Sequence, residues 1–247
     1  MIVTNATEVA ALQRIGRIVS DVLRRMLRAL EPGMTTRELD AIGDRLLRKA
    51  GARSAPQLIY DFPGATCISI NEQAAHGIPG DRVIAAGDVV NVDVSAELDG
   101  YFGDTGGTQV VPPSNEIKDR LCLTSRAALQ AALSVARAGA RINVIGQAIE
   151  ATAKAQGFRV VENLGSHGIG RTLHDAPGFI QGYDDPQDRR LLKDGMVITI
   201  EPFVTTRSRR LRESKDGWTL VGTADNLCAQ YEHTLIITRG EPILCTV

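Results

Sequence analysis

No apolar run in these 247 residues approaches the roughly 20 that a membrane-spanning helix needs, so no membrane partner is expected. The first residues, Met1-Ile2-Val3-Thr4-Asn5, lack the basic stretch followed by an apolar one that marks a secretory leader, and a cytoplasmic protein is the expectation. Cysteine is sparse. Cys67, Cys122, Cys228 and Cys245 are scattered, with no Cys-x-x-Cys pair and no zinc-like spacing, which argues for reduced thiols. An excess of one charge is also missing: the net charge is -1, so no global field points to nucleic acid and only local patches could. Nor does any low-complexity tract or linker divide the chain, so residues 1–247 read as one catalytic-sized domain.

What is present is an ordinary globular composition, 43% apolar and 23% charged, with clear helical periods. Val9, Leu12, Ile15, Val19, Val22 and Met26 predict an amphipathic helix over 7–30, broken by Pro32-Gly33. Thr35-x-x-Glu38 is a capping-box pattern that predicts a second helix through Lys49, stopped by Gly51. Further helices are predicted over 116–137, ending at Gly139, and from Asn143 to Gly157. Gly33 and Gly139 are separated by the same interval as Leu39 and Ile145, and as Gly51 and Gly157. The chain therefore reads as an internal pseudo-repeat, roughly 7–110 and 115–240, in an α+β fold with helices around a central antiparallel sheet.

Each repeat is followed by strands that carry carboxylates. Val90, Val92 and Val94 alternate with Asn91, Asp93 and Ser95, which predicts a half-buried strand. Asp99-Gly100 is a two-residue hairpin signal. With those two as the turn, Leu98 pairs with Tyr101 and Ser95 with Asp104. Asp93 and Asp104 then become diagonal neighbours on one face, about 7–8 Å apart at the backbone. One aspartate in a strand is usually a surface charge; two on one face of an apolar hairpin are not. Met196–Ile200 is another apolar run, ending in Glu201 and a strand-stopping Pro202. A strand over Cys228–Thr238 places Gln230, Glu232 and Thr234 on one face. His167 falls in a bend rich in glycine (Gly165, Gly168, Gly170), where backbone and ligand can approach closely.

Four carboxylates brought together repel and take up protons unless cations offset them. With one imidazole they form a hard, oxygen-rich donor set suited to cobalt, manganese or ferrous iron rather than structural zinc. Two such ions about 3.5–4 Å apart are the usual arrangement for metal-assisted hydrolysis.

Read in order, several segments resemble the type I methionine aminopeptidases of the pita-bread (creatinase/aminopeptidase) fold. They are Cys67–Pro79, Asn91–Val94, Gly103–Thr105, His167–His174, Thr199–Pro202, Asp216–Thr219 and Ala229–Thr234, and they span essentially the whole chain. The resemblance implies a monomeric, dinuclear enzyme of the short bacterial form that removes N-terminal methionine from nascent proteins when the second residue is small. It implies that Asp104 and Glu232 bridge two metals, that Asp93 completes one, and that His167 and Glu201 complete the other. Glu201 would assist metal-hydroxide attack on the methionyl carbonyl, His174 would stabilise the tetrahedral intermediate, and His76 would contact the scissile nitrogen. Phe62, Cys67 and Trp218 would line the methionine pocket. Leu173 and Ile59 stand where members often carry aromatics, and Ser166 replaces a common glycine.

An X-Pro aminopeptidase or prolidase-like hydrolase would share the five ligands. That group usually carries an Arg-x-Glu-Asp type segment where this chain has Gln230-Tyr231-Glu232-His233-Thr234. A non-enzymatic binding protein on the same fold would have lost ligands. The basic stretch Arg207, Arg209, Arg210, Arg212 and Lys215 is the expected footprint for any contact with the ribosome.

Overall fold

In the computed structural model, which describes residues 1–247, helix α1 (Ala6–Ala29) starts where Asn5 accepts from the Glu8 amide. Helix α2 (Thr36–Lys49) starts at Thr35, whose hydroxyl and backbone exchange hydrogen bonds with Glu38 in the predicted capping box. A short helix α3 (Ala55–Tyr60) was not foreseen; Ser54 caps it and Pro56 fills its first turn, where a missing N–H costs nothing. Helices α4 (Glu116–Val135) and α5 (Asn143–Ala155) complete the set. Gly33 and Gly139 have φ of 93° and 91°, and Gly51 and Gly157 have 75° and 78°. A Cβ at any of the four would meet nothing, so glycine serves the left-handed backbone there rather than close packing. No helix is long and apolar enough to cross a membrane.

The first five strands are β1 (Arg53–Ser54), β2 (Cys67–Ile70), β3 (Gln73–Ala75), β4 (Val89–Leu98) and β5 (Tyr101–Val110). Ten follow: β6 (Arg159–Val160), β7 (Ser166–Gly168), β8 (Asp175–Ile180), β9 (Val197–Ile200), β10 (Phe203–Thr205), β11 (Arg212–Glu213), β12 (Leu220–Val221), β13 (Cys228–Gln230), β14 (His233–Ile236) and β15 (Ile243–Leu244). All pairings are antiparallel, in four separate sheets: β1-β4-β2 with β5 on β4, β13-β10-β6, β11-β12-β3, and β15-β14-β9-β7-β8.

The long hairpin β4–β5 keeps the predicted register, Leu98 opposite Tyr101 and Ser95 opposite Asp104. Asp99 and Gly100 have φ of 53° and 80°, the two positive values that a tight primed turn demands. Val90, Val92 and Val94 are all 0% exposed. A one-residue slip would exchange them for Asn91, Asp93 and Ser95 at about 1.5–3 kcal/mol per valine, which pins the register. The expected half-buried strand is buried on both faces, because Asn91 and Ser95 are covered as well. Its polar face looks into the molecule, not into solvent.

Two further expectations are corrected. The strand foreseen over Cys228–Thr238 is two strands in different ladders, β13 and β14, interrupted at Tyr231-Glu232. His167 lies on strand β7 rather than in a bend, although the glycines do permit close approach: a Cβ on Gly168 would sit 2.4 Å from the backbone of Ala176. One core (Ile15, Met26, Leu39, Ile70, Val92) lies under α1 and α2, and another (Leu121, Ile145, Ile149, Ile198, Leu235) under α4 and α5. Leu12, Phe102, Ile169, Val197 and Ile236 form a third that draws on both.

Candidate active site

The four carboxylates are positioned by two different constructions. Asp93 and Asp104 share the buried face of β4–β5, where Ser95 stands opposite Asp104 and Cys67 opposite Asp93. Glu201 and Glu232 sit where a ladder breaks. Ile200 pairs with His233 on one side and Phe203 with Gln230 on the other, which leaves Glu201-Pro202 opposite Tyr231-Glu232. Pro202 has no N–H to give to a ladder, so pairing stops there and resumes with a different set of strands.

Neighbouring side chains hold these groups in place. The Thr199 hydroxyl donates to Glu201 Oε1 at 3.1 Å, and the Glu201 amide donates to Ser166 Oγ at 2.9 Å. Ser166, the departure from the family pattern, is thus a direct support of Glu201. Gln230 Nε2 donates to Glu232 Oε2 at 3.0 Å, while Asn91 Nδ2 fixes Gln230 Oε1 at 2.8 Å. Thr234 accepts from the Asp104 amide and donates to the Asp104 carbonyl, tying β14 to β5. His167 Nδ1 is 2.9 Å from the Gly168 carbonyl, which can only accept. The proton therefore lies on Nδ1, and Nε2 carries the lone pair. That Nε2 is 3.5 Å from Glu201 Oε1 and 3.8 Å from Asp104 Oδ2.

The electrostatics describe a site built for cations. Burial, then the neighbouring carboxylates, holds Asp104, Glu201 and Glu232 well above the usual carboxylate range. Burial raises Asp93 to about 6 and lowers His167 to about 3. Asp104 Oδ1 and Glu232 Oε1 are buried with no hydrogen-bond partner. Bare anionic oxygens in a dry interior are costly unless something positive meets them. Ligand atoms of Asp104, His167 and Glu232 lie within 4.8 Å of one another, a fit for a divalent ion.

Beside this cluster is a cavity of about 260 Å³. It is lined by every sequence-predicted site residue except Glu232, which lies behind it in the ligand cluster. Phe62 and Trp218 meet edge to face, with ring centroids 5.1 Å apart. Asp216 accepts from the amides of Trp218 and Thr219 and so fixes the turn that presents the indole. Cys67 pairs with Asp93 across β2 and β4. Burial, then the charge of Asp93, pushes its thiol well above the ordinary value, so it stays protonated as a soft apolar wall. His76 stands in a left-handed conformation with φ of 55°, and burial lowers its imidazole to about 4. The His174 ring lies 4.2 Å from that of His167. Leu173 lines the cavity, whereas Ile59 is 38% exposed and outside it. The neighbouring Tyr60, which no sequence motif singles out, lines the cavity instead.

The sequence profile of metallopeptidase family M24 matches residues 10–239. The chain belongs to metallopeptidase family M24. Within that family it is 47% identical over 247 residues to a protein named methionine aminopeptidase 2 of Bacillus subtilis (strain 168), an alignment covering 100% of this chain and 99% of the relative. A solved methionine aminopeptidase of Thermotoga maritima superposes with a TM-score of 0.95 at 31% identity, covering 100% of this chain and 99% of the other. The resemblance and the pita-bread fold expected from the motifs are borne out. A prolidase of Pyrococcus furiosus shares the fold, with a TM-score of 0.81 at 23% identity, but this chain covers only 65% of it. The prolidase-like alternative is not favoured.

Proposed function

We propose that this chain is a dinuclear-metal methionine aminopeptidase, removing N-terminal methionine from nascent peptides when the second residue is small. The observation that carries this reading is the pair of buried, partnerless oxygens of Asp104 and Glu232 beside the bare Nε2 of His167, next to a cavity walled in part by Phe62, Trp218 and the Cys67 thiol. Asp93, Asp104, His167, Glu201 and Glu232 would hold two divalent ions: cobalt, manganese or ferrous iron. Such ions supply Lewis acidity toward the scissile carbonyl and lower the pKa of a water.

The chain's own residues do the rest. Glu201 accepts the proton of the attacking water and passes it on; Thr199 and the Ser166–Glu201 hydrogen bond hold its carboxylate in line. His76 and His174 stay neutral because burial disfavours their charged forms, so each offers an N–H without adding a cation to the site. His174 stabilises the tetrahedral intermediate and His76 contacts the departing nitrogen. Phe62, Cys67 and Trp218 receive the methionine side chain, an unbranched thioether that packs well on aromatic edges and a thiol.

Residues 1–247 act as one catalytic domain and as a monomer. The matching left-handed glycines of the two helix pairs support a pseudo-repeat over 7–110 and 115–240. For the ribosome, Arg207–Lys215 remains the footprint, with Arg209 and Arg210 partly neutralised by Glu162 at 2.6 and 4.0 Å. Arg207, Arg212 and Lys215 are exposed. Reversing Arg207 and Arg212 to Glu should reduce co-sedimentation with ribosomes at low salt while peptide turnover is retained. The main test is methionine release from Met-Ala-Ser by metal-free protein given each ion in turn. Release is expected from that peptide, much less from Met-Leu-Ser, and cleavage of X-Pro peptides instead would overturn the reading.

A further inference from the structure

Tyr60 closes helix α3, just before Asp61 turns the chain with φ of 54°. Its hydroxyl is 2.6 Å from Nδ1 of His174, and the two rings are tilted by 54° with centroids 5.7 Å apart. From the other side His174 is backed by the His167 ring, at 45°. The imidazole is thus held by a hydrogen bond on one flank and a ring face on the other, and Nε2 is the nitrogen left free in the cavity wall.

A neutral imidazole has one N–H and one lone pair, and the partner of one nitrogen decides which lies on the other. A phenol can give or accept. The phenolic O–H is the more acidic donor and the imidazole nitrogen the more basic acceptor. The Tyr60 hydroxyl makes no other hydrogen bond within the protein, so no protein acceptor competes with Nδ1 for its proton. A lone pair on Nε2 would, moreover, face the oxygen of a bound carbonyl with like polarity.

We propose that Tyr60 is a positioning residue for His174: its hydroxyl donates to Nδ1 and so fixes the tautomer that carries the proton on Nε2. That N–H is then aimed where negative charge develops on the reacting carbonyl, and it needs no reorganisation during the reaction. His167 and His174 become opposite tautomers, pinned by a carbonyl and a hydroxyl respectively. The adjacent, tilted pair offers a lone pair to a cation through one Nε2 and a proton to the substrate through the other. The assignment rests on the proposed aminopeptidase reading only for which substrate atom receives the N–H.

The test is Tyr60→Phe, which keeps the ring in a largely exposed position and removes only the donor. Nitrogen-15 spectra of the imidazoles in metal-free protein, with His174 assigned by loss of its signals in His174→Asn, report the tautomer directly. The native protein should show His174 protonated at Nε2 alone, and Tyr60→Phe should show a mixture of both forms. In metal-loaded protein kcat for Met-Ala-Ser should fall about tenfold with KM within about twofold, the size of one lost hydrogen bond acting in the transition state. The melting temperature should not move. A native His174 protonated at Nδ1, or tautomer and kcat unchanged by Tyr60→Phe, overturns the inference. The expected tautomers in native protein and Tyr60→Phe, together with no methionine release by the metal-loaded native protein, overturn the aminopeptidase reading and leave the Tyr60 assignment standing.

Discussion

The hairpin that carries Asp93 and Asp104 and the broken ladder that carries Glu201 and Glu232 solve one problem in opposite ways. The hairpin is regular: ten residues pair with ten, the turn has the two positive φ values it needs, and alternation alone puts both aspartates on one face. The broken ladder depends on irregularity, with Pro202 ending one set of pairings and two glutamates sitting in the gap between sheets. A continuous strand fixes a side chain by periodicity. A gap leaves it to be fixed by named neighbours, here Thr199, Ser166 and Gln230.

The largest contrast should come from Glu201→Gln against Asp93→Asn. If Glu201 is both ligand and proton acceptor, its loss should lower kcat about 10³-fold with little change in substrate affinity, and added metal should not restore it. Asp93→Asn should be largely rescued by raising the metal concentration; steady-state kinetics across a metal titration separates the two. Gln230→Ala removes a support peculiar to the gap, and should weaken metal binding about 10–100-fold by calorimetry while the fold stays intact. On the hairpin side, Gly100→Val forces a branched residue to φ of 80°. It should cost about 1–3 kcal/mol and lower the melting temperature by several degrees, with metal affinity little changed.

The pH response should distinguish carboxylates from imidazoles. Asp93 is raised from 3.8 to about 6, so its stabilising contribution is full below the unfolded value and is lost as pH rises through the folded one. Asp104, Glu201 and Glu232 shift in the same direction. The metal-free protein should therefore lose stability from this cluster as pH rises through about 6. The melting-temperature gain on adding metal should grow over the same range; a gain independent of pH would contradict the shared-cluster reading. His76 has the opposite sign: its contribution is complete above 6.5 and is lost as pH falls through about 4. The smallest effect expected is in NMR, where the His76 ring signals of metal-free protein should stay still until pH approaches about 4.

The hairpin was legible because its information is local: three valines, an alternation and Asp99-Gly100 set fold and facing together. The capping box at Thr35 was legible for the same reason. The ladder break was not, since Cys228–Thr238 keeps a strand period straight through Tyr231-Glu232 and only the strands opposite reveal the interruption. Helix α3 escaped because six residues are too few to show a period. With it went Tyr60, whose meaning lies in a histidine far along the chain. Site residue types could be picked out by motif, but the hydroxyls and amides that orient them, Thr199, Gln230 and Asn91, look in sequence like any other polar strand residues.

The division of donors across the chain also has a consequence for biosynthesis. Asp93 and Asp104 leave the translating ribosome before Glu232 is made. A half-made molecule can form its first hairpin yet holds only an incomplete set of donors. Proteolytic competence is thereby deferred until Glu232 has been added, and products truncated before it should be inert rather than partially active.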